Sequence, residues 1–150
     1  MKEVCTTDSP QETEDIGAEF SRRLCAGDIV GLSGDLGCGK TRFTRGIARG
    51  LGAKGCVKSP SFTIMNIYEG GSIALYHIDL YRIGGAEEFH GAGLEEFIYG
   101  RGISVIEWAD RLPALLDECD WVVRFSHMDE SRREIEIIER PGRKQEQDGL

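Results

Sequence analysis

One short stretch constrains the fold of this chain more than any other: a glycine-rich segment between an apolar run and a helical pattern. Residues 29–33 read Ile-Val-Gly-Leu-Ser, and residues 34–41 read Gly-Asp-Leu-Gly-Cys-Gly-Lys-Thr. The second segment matches Gly-x-x-x-x-Gly-Lys-Ser/Thr, the Walker A pattern, and its neighbours supply the strand and the helix that this pattern requires. The sequence therefore predicts a phosphate-binding loop inside an α/β fold.

The residue types of this segment suit the binding of a polyphosphate. Glycines let the backbone curl so that successive N–H groups point inward, and the following helix adds unsatisfied amides and a partial positive charge. Lys40 is predicted to reach the β- and γ-phosphates, and the Thr41 hydroxyl to ligate magnesium. We expect nucleotide contacts from every residue of the segment: Gly34, Asp35, Leu36, Gly37, Cys38, Gly39, Lys40 and Thr41.

Length and charge limit the classes of function. A chain of 150 residues forms one domain and is too short for a two-lobed ATPase. Residues 1–140 are expected to form that domain, and the polar residues 141–150 a disordered tail. A net charge of −8 argues against direct binding of nucleic acid, because affinity for the phosphate backbone depends on Lys and Arg. Any nucleic-acid role is expected to come through partners.

The cysteines and the hydropathy indicate the compartment. The five cysteines show no Cys-x-x-Cys spacing, so neither a zinc site nor a redox pair is indicated. Their odd number is typical of a reducing cytosol. The sequence has no signal-peptide pattern and no apolar run long enough to span a bilayer. We expect a cytoplasmic protein with no membrane attachment.

Periodicity predicts the elements around the loop. Ser9, Pro10 and Glu12 indicate a capped helix start, and the apolar spacing of Phe43 and Ile47 indicates a helix after the loop. Residues 64–68 and 73–81 are predicted to form a hairpin, and residues 121–125 and 134–138 a second one that follows soon after residue 107.

Two acidic residues stand where strands are predicted to end. Residues 103–106 form an apolar run typical of a central buried strand, and Glu107 follows it at the end where open α/β sheets bind ligands. A buried carboxylate without a partner is costly, so a magnesium ion is the expected partner. Asp79 shares a predicted strand face with His77 and lies away from turn signals, which favours a site over an ordinary surface charge. His77 is equally compatible with a structural role.

Four segments, in this order and spacing, resemble the TsaE (YjeE) family of small bacterial ATPases. They are residues 34–41, residues 59–63 (Ser-Pro-Ser-Phe-Thr), residues 77–82 (His-Ile-Asp-Leu-Tyr-Arg) and residues 106–108 (Ile-Glu-Trp). The resemblance implies a P-loop fold with a mixed sheet and flanking helices, ATP and Mg²⁺ as ligands, and weak hydrolysis that becomes useful inside a complex. That family works with TsaB and TsaD proteins to make threonylcarbamoyladenosine in tRNA, so TsaB-like and TsaD-like partners are implied.

Matching to the family's motifs implies individual roles. Lys40, Asp79 and Glu107 would be catalytic, and Thr41, Glu107 and Asp79 would be linked to the metal, with Asp79 orienting a metal-bound or attacking water.

Further positions are expected around the ligand. Ser61 and Thr63 would lie near the γ-phosphate, and Arg132 or Arg133, with the chain at residues 10–11, would lie near the nucleotide base. Trp108 is either a core residue or a flat surface against nucleotide or partner.

Two other functions use the same loop. A small-molecule kinase needs an acceptor pocket and a lid that shields the phosphoryl group from water, and the chain after residue 107 leaves little room for a lid. A binding module would use nucleotide only to hold a shape that a partner recognises. A GTPase switch is excluded, because the only asparagine, Asn66, is followed by Ile67 and cannot begin an Asn-Lys-x-Asp motif.

Overall fold

The architecture is a twisted sheet flanked by helices. The computed structural model describes residues 2–35, 39–57 and 65–140, and within these ranges eight strands form one sheet. The strands are β1 (Lys2–Thr7), β2 (Ile29–Ser33), β3 (Gly55–Val57), β4 (Met65–Glu69), β5 (Leu75–Asp79), β6 (Ile103–Glu107), β7 (Trp121–His127) and β8 (Arg133–Glu139). The α-helices are α1 (Pro10–Phe20), α2 (Lys40–Gly50), α3 (Ala86–Gly91), α4 (Glu95–Ile98) and α5 (Pro113–Asp117).

The sheet is parallel in its centre and antiparallel at both sides. Its strand order is β1-β8-β7-β2-β6-β5-β4-β3, and the four strands β7, β2, β6 and β5 are mutually parallel. The hairpins β7–β8 and β4–β5 add the antiparallel strands, which β1 and β3 complete. This single mixed α/β domain confirms the predicted fold class, and the proposed disordered tail at residues 141–150 lies outside the described residues.

The central strands are apolar because both of their faces are covered. Ile29 and Val30 are adjacent in β2, yet each is completely buried in a different core cluster, as strand alternation requires. Val105 and Ile106 divide in the same way in β6. Helices α1 and α2 cover one face, and α3, α4 and α5 contribute buried side chains to the other. No helix within the described ranges is long and apolar enough to cross a membrane.

Helix α1 begins where its capping residues predict. The Glu12 amide donates to Ser9 Oγ over 3.1 Å, and Pro10 occupies the first helical position. The second half of the capping box differs, because the Glu12 carboxylate accepts from the amide of Asp8, one residue earlier than Ser9. The carboxylate still satisfies an amide near the helix start.

The connection between residues 107 and 121 is more structured than the sequence predicts. A 3₁₀ turn, Ala109–Arg111, and helix α5 lie between β6 and β7, and they bury Ala109 and Leu115. The hairpin predicted at residues 121–125 and 134–138 is confirmed as β7 and β8, but the two short helical elements before it were not predicted. Helix α5 has only five residues, which is too short for a helical period to be recognised.

Helices α1 and α2 approach so closely that glycines are required at their crossing. A Cβ atom added to Gly46 would lie well under 3.0 Å from the carbonyl oxygen of Glu14, and one added to Gly17 would meet the carbonyl oxygen of Phe43 in the same way. Both obstacles are backbone atoms, which a side-chain rotation cannot move. This contact fixes the position of α2, and hence of Lys40 and Thr41 at its start.

Replacing Gly46 by alanine should therefore destabilise the protein. We expect Gly46→Ala to lower the free energy of unfolding by about 1–3 kcal/mol, since the two backbones must separate. Gly91→Ala is the matched control: nothing lies within 4 Å of its added Cβ, so the change should be within about 1 kcal/mol of zero. Urea denaturation measures both, and equal stability of the two variants would contradict the packing described here.

Candidate functional site

The residues predicted to carry the chemistry meet at the carboxyl ends of the parallel strands. Glu107, at the end of β6, pairs with Leu32 of β2 on one side and with Asp79 of β5 on the other. Helix α2 starts beside them at Lys40, after Gly39 has turned the chain with a φ of 99°. The sheet therefore brings together three segments that are distant in the sequence, at the edge where open α/β sheets bind ligands.

Glu107 is the centre of this group. Its side chain is buried, Oε1 accepts a hydrogen bond from Thr41 Oγ1 over 3.2 Å, and Oε2 lies 3.0 Å from His77 Nε2. The two partners hold one oxygen each, so the carboxylate plane is fixed. His77 was compatible with either role in the sequence, and the structure places it in contact with the site. Its other ring nitrogen, Nδ1, is buried without a hydrogen-bond partner among the described residues.

The surroundings of Glu107 favour its ionised form. Burial by itself raises the pKa of this carboxyl, but the hydrogen bond and charge of His77, the charge of Lys40 and the Thr41 hydroxyl outweigh it, so the net pKa is lowered. A buried anion is therefore available beside the start of α2. Such a group can hold a cation directly or through water.

Lys40 lies between two partners near this carboxylate. Its ammonium donates to the carbonyl oxygen of Gly34 over 2.6 Å and lies 3.6 Å from the centroid of the Trp108 ring. Trp108 has a φ of 62°, and it is the one non-glycine residue with a positive φ among those described. That conformation costs roughly 1–3 kcal/mol and is typical of functional sites. The half-buried Trp108 ring therefore packs on the core and also forms a wall of the site.

Asp79 lines the open side of the site, although the prediction that it lies away from any turn was wrong. The exposed Asp79 lines a cavity of about 390 Å³ together with Lys40, Thr41, Glu107 and Trp108. Its Oδ1 also accepts from the amide of Tyr81 over 2.9 Å, which is an Asx-turn contact. Asp79 is thus part of a turn, contrary to the expectation from sequence, and it faces the site as well.

The remaining predicted contacts divide into three groups. Leu36, Gly37, Cys38, Ser61 and Thr63 lie outside the described residues, so their predicted roles stay predictions.

Arg132 lies in the β7–β8 turn, where its guanidinium is 3.4 Å from the carboxylate of Asp8. Asp8 stands two residues before Pro10, which lines the cavity, and Arg132 itself is not among the described residues that line it. Gly34 touches the site through its carbonyl group, and Asp35 is exposed.

Arg42 and Arg45 also line the cavity and were missing from the predicted site. The helical spacing of Arg45, four residues after Thr41, is the signal that could have identified it, because residues at that spacing share a helix face.

The donor set of the site fits a magnesium ion that is shared with a ligand. Among the residues described, no three His, Cys, Asp or Glu side chains converge to form a metal cage. Thr41 and the ionised Glu107 can still supply one hydroxyl and one carboxylate. Magnesium is commonly bound by one or two protein oxygens, with phosphates and waters completing its shell. The residues present are therefore compatible with magnesium bound together with a polyphosphate.

Fold and site together define a mixed α/β protein in which the start of a helix, at Lys40 and Thr41, faces an acid at the end of the adjacent parallel strand. The family model described as "Threonylcarbamoyl adenosine biosynthesis protein TsaE" matches residues 7–135. This protein belongs to the TsaE family.

Individual relatives agree with this assignment. The chain is 38% identical over 133 residues to the tRNA threonylcarbamoyladenosine biosynthesis protein TsaE of Treponema pallidum, a match covering 89% of this chain and 98% of that protein. It is also 38% identical over 129 residues to TsaE of Bacillus subtilis, covering 86% of this chain and 80% of that protein. The crystal structure of YdiB from Bacillus subtilis superposes with a TM-score of 0.73 at 31% identity, covering 97% and 90% of the two chains.

The lowered pKa of Glu107 predicts how stability depends on pH. A carboxyl whose pKa is lower in the folded than in the unfolded state stabilises the protein above the unfolded value, here taken as 4.5, and this stabilisation is lost as pH falls through the folded pKa. Glu107→Gln lacks this contribution.

The difference in free energy of unfolding between wild type and Glu107→Gln should therefore narrow as pH is lowered below 4.5. Urea denaturation of both proteins between pH 7 and about pH 3 measures it. A difference that is constant over this range would contradict the described surroundings of Glu107.

Proposed function

We propose that this protein binds and hydrolyses Mg-ATP as the ATPase subunit of a complex that transfers a threonylcarbamoyl group to adenosine in tRNA. Membership of the TsaE family supports the pathway. The observation that carries the ATPase proposal is the buried, ionised Glu107, which is hydrogen-bonded to Thr41 at the start of α2 and lies beside Lys40.

The roles proposed for individual residues follow from where they lie. Lys40 would exchange its contacts with the Gly34 carbonyl and the Trp108 ring for β- and γ-phosphate oxygens. Thr41 and Glu107 would hold magnesium, which when bound neutralises negative charge on the phosphate oxygens. Asp79, paired across the strands with Glu107, would orient the attacking water. His77 would keep Glu107 oriented throughout.

The rest of the nucleotide site remains a proposal from the family's motifs. Residues 34–39 would surround the phosphates with main-chain amides, and Ser61 and Thr63 would lie near the γ-phosphate. Arg132 near the start of α1, and the Trp108 ring, would flank the nucleotide base or a partner.

Hydrolysis is proposed to serve partner proteins. TsaB-like and TsaD-like proteins would carry the transferase chemistry, and ATP turnover here would reset them. The net charge of −8 fits a subunit that reaches tRNA through these partners, in the cytoplasm.

Substitution of Thr41 tests the metal-dependent part of this proposal. Thr41→Ala should lower Mg²⁺-dependent ATP hydrolysis about 100-fold, since it removes a magnesium ligand, while ATP binding in EDTA is retained. Thr41→Ser is the matched control, because it keeps the hydroxyl and should keep most of the activity. Phosphate release measures turnover, and equal turnover by wild type and Thr41→Ala would contradict the assigned role.

Reconstitution tests the role of partners. Purified protein mixed with its TsaB-like and TsaD-like partners should hydrolyse ATP at least several-fold faster than any component alone. A rate equal to the sum of the separate components would refute partner stimulation. Complexes that still assemble with Glu107→Ala but do not hydrolyse ATP would favour an ATPase over a module that only binds nucleotide.

A further inference from the structure

A second, larger cavity adjoins the cavity of about 390 Å³ that Asp79 lines. The smaller one is called the nucleotide cavity below, because the proposed function places ATP there. The larger cavity has a volume of about 790 Å³ and lies between α2 and the β4–β5 hairpin. Thr41 and Arg45 line both cavities, so the two share a wall at the start of α2. Of the residues that line the larger cavity, only Thr41 and His77 have roles in the function proposed above.

The charge of the larger cavity is opposite to that of the chain. Its basic lining residues are Arg45, Arg49 and Lys54, with His77 at its inner end, and no Asp or Glu occurs among its described lining residues. The whole chain has 26 acidic and 18 basic residues. In a chain with this excess of acidic residues, an average cavity lining would contain carboxylates. The basic lining of this cavity is therefore suited to an anion.

Arg45 is the basic residue most available to such an anion. Its neighbours on α2 are paired: Arg42 lies 3.3 Å and Arg49 lies 2.7 Å from carboxylate oxygens of Glu14. Arg45 forms no ion pair or hydrogen bond with any residue that the structure describes. It lies one helical turn after Thr41 and on the same side of α2. Its guanidinium presents several N–H donors in a planar fork that matches phosphate.

We propose that this cavity binds orthophosphate at a site separate from the nucleotide, with Arg45 as its principal contact. The source of the phosphate rests on the proposed function. In hydrolysis the bond between the γ-phosphorus and the β,γ-bridging oxygen of ATP breaks, and that oxygen leaves as part of ADP. A water oxygen bonds to the γ-phosphorus, and one proton goes to solvent. The phosphate formed beside Thr41 enters the larger cavity across the wall that Thr41 and Arg45 share. An acidic segment of a partner protein is the competing occupant, and it lacks this link to the nucleotide cavity.

The site is tested with the nucleotide cavity already filled. Inorganic phosphate is titrated into protein saturated with Mg²⁺ and a non-hydrolysable ATP analogue, and binding is followed by phosphorus NMR. We expect saturable binding of phosphate without displacement of the analogue. Arg45→Gln should weaken it about tenfold, as expected for a hydrogen bond to a charged group. Lys54→Gln, which does not line the nucleotide cavity, should weaken it less and provides an independent variant.

Arg101→Gln is the matched control for charge, because Arg101 is exposed and lines neither of the two cavities. It should leave phosphate binding unchanged. If all three variants weakened phosphate binding equally, net charge alone would explain the effect, and the proposal would be overturned.

Three other results would overturn it. They are the absence of phosphate binding to the analogue-saturated protein, binding that displaces the analogue, and Arg45-dependent binding of a glutamate-rich peptide where phosphate does not bind. Failure of the analogue itself to bind would refute the proposed function separately. In that case phosphate is titrated into the nucleotide-free protein. The inference then requires that Arg45→Gln and Lys54→Gln weaken phosphate binding and that Arg101→Gln leaves it unchanged.

Discussion

The structure depends on a carboxylate that is buried and kept ionised. Removing the charge of Glu107 from water is unfavourable, and the fold offsets this with one hydrogen-bond partner for each oxygen, Thr41 and His77, and with the charge of Lys40 nearby. These partners come from α2 and β5, so the parallel arrangement of β5, β6 and β2 is what brings them into contact. The close crossing of α1 and α2 then fixes the start of α2 against the sheet.

The same arrangement is suited to the phosphate ligand that we propose. The Lys40 ammonium donates a hydrogen bond to the Gly34 carbonyl oxygen and lies over the Trp108 ring. A phosphate oxygen can replace both contacts. Trp108 holds its place in a left-handed conformation that the surrounding packing must stabilise. Asp79 stands at the open side, where solvent reaches the cavity. Buried and exposed acids at adjacent strand ends are thus suited to different tasks.

Much of the fold and part of the site could be predicted because their signals are local. The apolar run that forms β6 identified a central strand, and the cost of burying a lone carboxylate identified Glu107. Other features depend on contacts that no local pattern contains. The pairing of His77 with Glu107 requires the register of β5 against β6, β3 has three residues that need β4 beside them, and α5 is too short for a helical period. The prediction that Asp79 lies away from any turn was wrong, since the Asx turn forms only after β5 has ended.

The most direct test of this account is a crystal structure with Mn²⁺ in place of magnesium and a non-hydrolysable ATP analogue. The account predicts one anomalous manganese peak about 2.1 Å from Thr41 Oγ1, bonded to phosphate oxygens, with Glu107 bound to it directly or through one water. Lys40 should have moved from the Trp108 ring to the β- and γ-phosphates. A triphosphate bound elsewhere, or a metal peak remote from both Thr41 and Glu107, would contradict it.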